Sequence, residues 1–462
     1  MEKDIVVIGG GPAGYIAAIK AGRLGAQVLL AEAGSVGGTC LNRGCIPTKY
    51  YAQSAHTILE LAQGNDRGII IKDPTITVDM ELARKGKQKT VRKLTGGVRS
   101  LLSAAQVELV QQKATITGNH EVTLEDGTVI GAKVIIIATG SSSMAVPIPG
   151  IDSPLTVTSE EILDLEMVPK RLVIIGGGVI GIEFASIFQA FGSDVTVIEA
   201  QPDILPMFDA AAVTSLAKAL KKRGVRIYSG SGVTRMETLD HEARLTLADG
   251  NTIGADLVLL SVGRKADISC LSDQVSPAID HGNIMTDEWG MTSISGIYAA
   301  GDVTGRRLLA HAAYQMGETV AHNACIDLRI IADERKKFNL DIVPSVVYAV
   351  PEVASVGLSE AEAAASYDTV VGKFPLAANG RALASGEPEG FIQVVADRRY
   401  GQILGVCCVG MYASEIINEA ALAMKHELTV HEVAETIHGH PSVSEAFKEA
   451  ASACIGQSYH MI

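Results

Sequence analysis

Short unbroken apolar runs recur along the chain, at residues 5–8 (IVVI), 28–31 (VLLA), 134–137 (VIII), 172–175 (LVII) and 257–260 (LVLL). Runs of this length without polar interruption predict strands buried on both faces, as in a parallel sheet covered by helices. Residues 53–118 are mostly helical and polar in pattern, and the basic stretch at 84–99 reads as a solvated helix face. Residues 114–130 alternate like a hairpin around Asp126-Gly127. Residues 296–305 (GIYAAGDVTG) predict a strand ending in a Gly-Asp turn, and a helix follows from about 309 to 330. From Asp341 onward the texture changes to alternating strands (PSVVYAV, FIQVVAD, ILGVCCVG) and two helices, a separate α+β module.

Residues 4–32 and 171–199 follow one pattern. Each has an apolar strand, then G-x-G-x-x-G (Gly9, Gly11, Gly14; Gly176, Gly178, Gly181), then a helix and a second strand ending in an acid, Glu32 or Glu199. The first glycine permits a tight turn, the second lets backbone approach a pyrophosphate, and the third lets helix pack on strand. The helix N-terminus then receives the phosphates and the acid accepts the ribose hydroxyls. One such fingerprint is weak, but a duplicated one with matching acids predicts two dinucleotide sites. Glu199 disfavours a 2′-phosphate, and Ala200, Gln201, Pro202 and Asp203 offer no arginine for one, so NAD is expected over NADP.

At 462 residues the chain can hold several domains and a large core. Its net charge of −13 repels nucleic-acid phosphates and anionic lipid, so neither is an expected partner. No apolar run of about 18 residues and no export signal stands out, so a cytoplasmic protein off the membrane is expected. Seven cysteines are an odd, sparse set that reads as cytosolic thiols. Cys407 and Cys408 are adjacent in a strand, where side chains alternate faces, and read as packing residues. No metal site is expected.

Cys40 and Cys45 stand five apart in GGTCLNRGCIPTK, directly after the first fingerprint. On a regular helix five residues rotate a side chain by about 140° net, so the sulfurs would not face each other. Gly44 and Pro47 supply the distortion that would let them meet. This segment resembles the CxxxxC redox motif of the flavin-dependent pyridine nucleotide–disulfide oxidoreductases. The likeness runs through both fingerprints, the turn Ala138-Thr139-Gly140, the turn Ala300-Gly301-Asp302, the stretch VPSVVYAVPEVASVGLSE from Val343, and HGHPSVSE from His438.

The resemblance implies two Rossmann-like dinucleotide-binding domains, for FAD at 1–147 and NAD at 148–268. A central domain at 269–340 would complete the FAD site, and an α+β dimerisation domain would span 341–462. It implies FAD held by Gly9, Gly11, Gly14, Glu32, Thr39, Lys49, Thr139, Gly140, Asp302 and His311, and NAD held by Gly176, Gly178, Gly181, Glu199 and Gly263. In this scheme Cys45 lies beside the flavin, Cys40 exchanges with substrate, and Lys49 pairs with Glu183. His440, oriented by Glu445, is the acid–base group reaching the partner subunit's site in a homodimer. Among the family's branches the resemblance is to the one oxidising dihydrolipoyl groups with NAD, its substrate carried by a lipoyl-bearing protein of a 2-oxo acid dehydrogenase or glycine cleavage complex. Arg43, between the cysteines, raises the alternative of an NADH-dependent reductase of another small disulfide. A flavin-binding assembly subunit without turnover is the other alternative, and the intact Cys40, Cys45 and His440 count against it.

Overall fold

A computed structural model describes residues 2–70 and 76–460; the expected first and last domain spans therefore reach beyond the described residues at their outer ends. The chain divides into two compact units, Met1–Thr48, Leu82–Met144 and Gly263–Leu340 forming the first, and Lys49–Glu81, Ala145–Val262 and Asp341–Ile462 the second.

The first unit is built on strand β1 (Glu2–Ile8), helix α1 (Pro12–Arg23), strand β2 (Val28–Ala31), helix α2 (Gly38–Arg43), the start of helix α3 (Cys45–Ala62), which from Lys49 onward belongs to the second unit, helix α4 (Met80–Ala104), and strands β3 (Glu108–Val110), β4 (Ala114–Gly118), β5 (Glu121–Leu124) and β6 (Val129–Ile137). The sheet order is β3-β2-β1-β6-β5-β4, and the later strand Ile297–Ala299 joins β6 in parallel. Ile5, Val7, Val134 and Ile136 enter a core shared with α1 and the helix Ala310–Asp327. Val6, Ile8, Ile135 and Ile137 enter a second core with Ile116, Val122 and Ile284. Because both faces are covered, the strands carry no polar alternation, and this is why the unbroken runs read correctly as parallel strands.

Two details differ from expectation. The stretch read as one hairpin makes three antiparallel strands, β4, β5 and β6, with a second turn at 119–120. The turn at Asp126-Gly127 is present, with Asp126 Oδ1 accepting from the Thr128 amide. The basic stretch lies on α4, largely exposed, but Lys87 is buried within it.

In the second unit a five-stranded parallel sheet runs Arg226–Ser229, Asp194–Glu199, Arg171–Ile175, Leu257–Leu260, Thr156–Thr158. The C-terminal sheet is antiparallel, with Ile403–Val409 between Val353–Gly357 and Phe391–Asp397. Cys407 and Cys408 are adjacent in this strand and both buried. Among the described residues of this module five α-helices stand where two were expected, at Glu360–Ala364, Gly380–Ser385, Ala413–Lys425, Val430–Glu435 and Glu445–Cys454. The three short ones have five or six residues, too few to show periodicity, and each is set by its cap: a capping box between Ser359 and Glu362, the Asn379 side chain, and a capping box between Thr429 and Glu432.

The two fingerprints fold alike. Gly9 and Gly176 have φ of +98° and +109°. A Cβ on Gly14 would lie 1.8 Å from the Gly9 carbonyl oxygen, and one on Gly181 would lie 2.0 Å from that of Gly176. At Gly178, with φ −72°, a Cβ would meet nothing within 4 Å. Gly181→Ala is therefore expected to destabilise the protein by about 1–3 kcal/mol, and Gly178→Ala by less than about 1 kcal/mol, in urea unfolding; equal losses would contradict this reading of the turn.

Candidate active site

The first unit presents a helix N-terminus with no side-chain cap. Gly11 is the extended N-cap of α1 and Pro12 follows at the first turn. Directly after β2 comes Glu32, whose Oε2 accepts from the Gly10 amide at 2.6 Å and whose Oε1 accepts from the Gly34 amide at 2.7 Å. The carboxylate is thus anchored beside the phosphate-binding turn. Thr39 lies on α2, and the Gly37 amide donates to the Gly10 carbonyl at 2.8 Å, which draws the start of α2 against the fingerprint. These groups fit a dinucleotide: uncapped amides for the pyrophosphate, backbone without side chains near it, and an acid for ribose.

Asp302 belongs to the same unit. Its Oδ2 accepts from Ser141 Oγ at 2.6 Å, and Ser141 is held in turn by Arg264, whose Nε donates to Ser141 Oγ at 2.7 Å and whose Nη2 donates to the Ser141 carbonyl at 2.6 Å. Thr139 Oγ1 donates to the Asp267 carbonyl at 2.6 Å, and Gly140 accepts from the Asp267 amide. His311 is exposed at the start of the helix Ala310–Asp327. Ser141 and Arg264 carried no sequence signal, since only the fold brings 141, 264 and 302 together.

The second unit repeats the cradle. Gly178 is the uncapped N-cap of the helix Val179–Ala190. Glu199 Oε2 accepts from the Gly177 amide at 2.6 Å and Oε1 from the Gln201 amide at 2.7 Å, the same pair of contacts that Glu32 makes. Gly263, with φ +124°, follows the strand Leu257–Leu260 but is the first residue of a segment that belongs to the first unit.

Between Cys40 and Cys45 the helix is broken. α2 ends at Arg43, Gly44 leaves the helical region at φ −145° and ψ −110°, and α3 starts afresh at Cys45. A Cβ at position 44 would press to 3.0 Å from the Thr39 carbonyl oxygen. The two cysteines therefore sit on different helices, Cys40 buried and Cys45 exposed. Burial raises the Tyr314 phenol, followed by its hydrogen bond to Tyr15, and Cys40 and Cys45 both lie within electrostatic reach of it. Tyr15 and Tyr314 pack with ring centroids 6.0 Å apart. Sequence reasoning missed both tyrosines because neither stands in a motif.

Lys49 and Glu183 meet as expected: Lys49 Nζ is 2.9 Å from both carboxylate oxygens of Glu183. Glu183 is buried, and its Oε1 also accepts from the Tyr348 amide at 3.0 Å. Lys49 Nζ lies 4.4 Å from the centre of the Tyr348 ring, a cation–π contact. His440 Nδ1 lies 2.9 Å from Glu445 Oε1, and the Ser442 amide donates to Glu445 Oε2 at 2.7 Å. Burial pulls the Glu445 carboxyl up, but the Ser442 amide and His440 outweigh it and hold it below the usual range. With Nδ1 engaged, Nε2 of His440 is the nitrogen available for proton exchange. Its side chain is 79% exposed.

These two cradles, the interrupted helix carrying the cysteines and the His440–Glu445 dyad have matching sequence relatives. Residues 3–317 match the pyridine nucleotide-disulphide oxidoreductase family and residues 343–451 match its dimerisation domain. The chain belongs to the pyridine nucleotide-disulphide oxidoreductase family. It is 40% identical over 474 residues to a dihydrolipoyl dehydrogenase of Thermus scotoductus, covering 99% of each chain. To one of Chlamydia muridarum it is 37% identical, covering 99% of this chain and 98% of that one. Among solved structures it resembles LpdA of Mycobacterium tuberculosis, with a TM-score of 0.88, 28% identity and coverage of 97% and 98%. The HOCl-induced flavoprotein disulfide reductase RclA of Escherichia coli gives 0.87, 27%, and coverage of 97% and 99%. FAD and NAD are the cofactors of this class, and the dimerisation domain supports a homodimer. Among the described residues no helix is long and apolar enough to cross a membrane.

His438 is more than the ordinary residue its sequence context suggests. Its Nε2 is 2.9 Å from Glu419 Oε1, and that bond raises its pKa against the opposing effect of burial. Below about pH 6.5 the histidine is protonated folded or unfolded, so the pair stabilises fully there; the contribution is lost as pH rises through the raised folded value. Urea unfolding of the protein and of His438→Gln, which keeps a donor but cannot take up a proton, should show a stability gap at pH 5.5 that narrows by pH 8.5. A gap that widens with pH would contradict the assignment.

Proposed function

We propose that this protein is an NAD-dependent dihydrolipoyl dehydrogenase: a homodimer that oxidises protein-bound dihydrolipoyl groups to lipoyl and passes the electrons through Cys40 and Cys45 and FAD to NAD⁺. The observation carrying this reading is the helix broken at Gly44, with Cys40 on the segment before the break and Cys45 opening the one after it. Full-length relatives bearing the dihydrolipoyl dehydrogenase name support the substrate. FAD would supply acceptance of an electron pair from a thiolate and its delivery to nicotinamide as hydride.

The chain's own residues have the following roles in this reading. Gly9, Gly11, Gly14, Glu32, Thr39, Thr139, Gly140, Asp302 and His311, with Lys49, hold FAD; Gly176, Gly178, Gly181, Glu199 and Gly263 hold NAD. Glu183 fixes the Lys49 ammonium, and Tyr348 braces both. A substrate thiol gives its proton to His440 Nε2, its thiolate attacks Cys40 Sγ, and the bond to Cys45 breaks to leave the Cys45 thiolate. The second substrate thiol then attacks the substrate sulfur joined to Cys40, the bond to Cys40 breaks, and the thiol's proton passes to the departing Cys40 sulfur, completing the lipoyl disulfide. Glu445 holds the imidazole in the tautomer with a proton on Nδ1 and stabilises its protonated form. The order of the two sulfurs rests on the family resemblance, since in the chain alone Cys45 is the exposed one and Cys40 is 8% exposed. The division into domains at 1–147, 148–268, 269–340 and 341–462 belongs to the same reading, as do the cytoplasmic location and a lipoyl-bearing partner of a 2-oxo acid dehydrogenase or glycine cleavage complex.

The assay is NAD⁺ reduction by dihydrolipoamide with the FAD-loaded dimer. Cys45→Ser should abolish turnover, and His440→Gln should lower it by about 10²–10⁴-fold with flavin content unchanged. No turnover of dihydrolipoamide by the unaltered enzyme, together with NADH-dependent reduction of another small disulfide, would transfer the reading to the alternative raised by Arg43.

A further inference from the structure

Away from the cysteines and the dinucleotide turns, a second constellation of ligand-type side chains lies within the second unit. His56 and Glu60 stand one turn apart on the same face of α3, and Glu387 faces them from the segment after the short helix Gly380–Ser385. His56 Nε2 is 3.4 Å from Glu60 Oε1 and 3.9 Å from Glu387 Oε1, and one ligand atom from each residue lies within 4.8 Å of the others. Oxygen and nitrogen ligands at about 2.0–2.2 Å from a tetrahedral zinc ion stand about 3.3–3.6 Å apart. The three side chains are thus within a small rotamer adjustment of that spacing, and a fourth position is left for water.

The local charge favours a dication. Burial raises the Glu387 carboxyl above its usual range and the charge of Glu60 adds to this, while His56 and Arg67 pull part of it back. Glu352, also raised by burial, is a third carboxylate within electrostatic reach of His56. The one guanidinium in this group, Arg67, donates to the Ala384 and Ser385 carbonyls. The two ligand carboxylates, Glu60 and Glu387, converge on the imidazole nitrogen, and a bound dication would offset the cost of holding Glu387 ionised where it is partly buried.

We propose that His56, Glu60 and Glu387 bind one divalent cation of the zinc class per chain. The imidazole nitrogen selects a borderline metal over magnesium, which prefers an all-oxygen octahedron. Two ligands come from α3 and the third from a segment more than 300 residues later, so the ion clips the helix that begins at Cys45 to the C-terminal part of the second unit. From Cys45 to His56 is about 16 Å along the helix axis, so this is a structural clip and not part of the redox centre.

The test uses the FAD-loaded, oxidised dimer after chelator treatment, titrated calorimetrically with ZnCl₂. One ion per chain is expected, with no saturable heat from MgCl₂, and a rise in thermal unfolding midpoint on adding zinc. His56→Asn and Glu387→Gln, each checked for unchanged flavin content, should weaken zinc binding by about tenfold or more and lose the rise in midpoint. The Cys40→Ser/Cys45→Ser double variant should retain both. The proposal is overturned if zinc shows no saturable binding, if His56→Asn and Glu387→Gln bind as tightly as the unaltered protein, or if binding is lost in the cysteine double variant instead.

Discussion

The structure depends on a contact that no side chain can enter: a helix start pressed onto the strand end before it, with the Gly14 α-carbon against the Gly9 carbonyl. Once backbone meets backbone there, the first amides of α1 are left without a cap, and the acid directly after the neighbouring strand comes back onto the turn. An uncapped helix N-terminus beside an anchored carboxylate suits a phosphate followed by a ribose. The second unit repeats the contact at Gly176 and Gly181, down to the two amides that bind Glu199. Two cradles in one chain are what an enzyme needs to pass electrons between two dinucleotides.

The second constraint is the interruption at Gly44. A continuous helix from 38 to 62 would turn the two sulfurs away from each other. Ending α2 at Arg43 and restarting at Cys45 places the cysteines on separate segments while keeping them in the unit that carries the first cradle. Tyr314, within electrostatic reach of both, comes from the helix that shares a core with α1. Thus the packing that seats the first fingerprint also brings a phenol to the cysteines.

The sequence was most informative where a function demands local spacing. The fingerprints, the acids after them, the CxxxxC pair and the His-Pro segment all lie within short windows and were legible. Lys49 and Glu183, 134 residues apart, were paired only through the family resemblance, and the structure brings them to 2.9 Å. Ser141, Arg264, Tyr314 and Tyr348 escaped because their neighbours come from distant parts of the chain and no periodicity marks them. The missed helices Glu360–Ala364, Gly380–Ser385 and Val430–Glu435 are shorter than two turns, and the extra strand of the first sheet is hidden in a segment whose alternation continues through both turns. The proposed metal clip goes against the expectation of no metal site, since Glu387 joins His56 and Glu60 only in the fold.

The central claim is that Cys40 and Cys45 form one redox pair that exchanges electrons with the flavin. An anaerobic titration of the FAD-loaded protein with two electrons per chain, followed by absorbance and by thiol counting in denaturant, tests it most directly. The account predicts that those two electrons produce two new thiols and a long-wavelength absorption band from a thiolate beside oxidised flavin. Bleaching of the flavin by the same two electrons with no new thiols would contradict it.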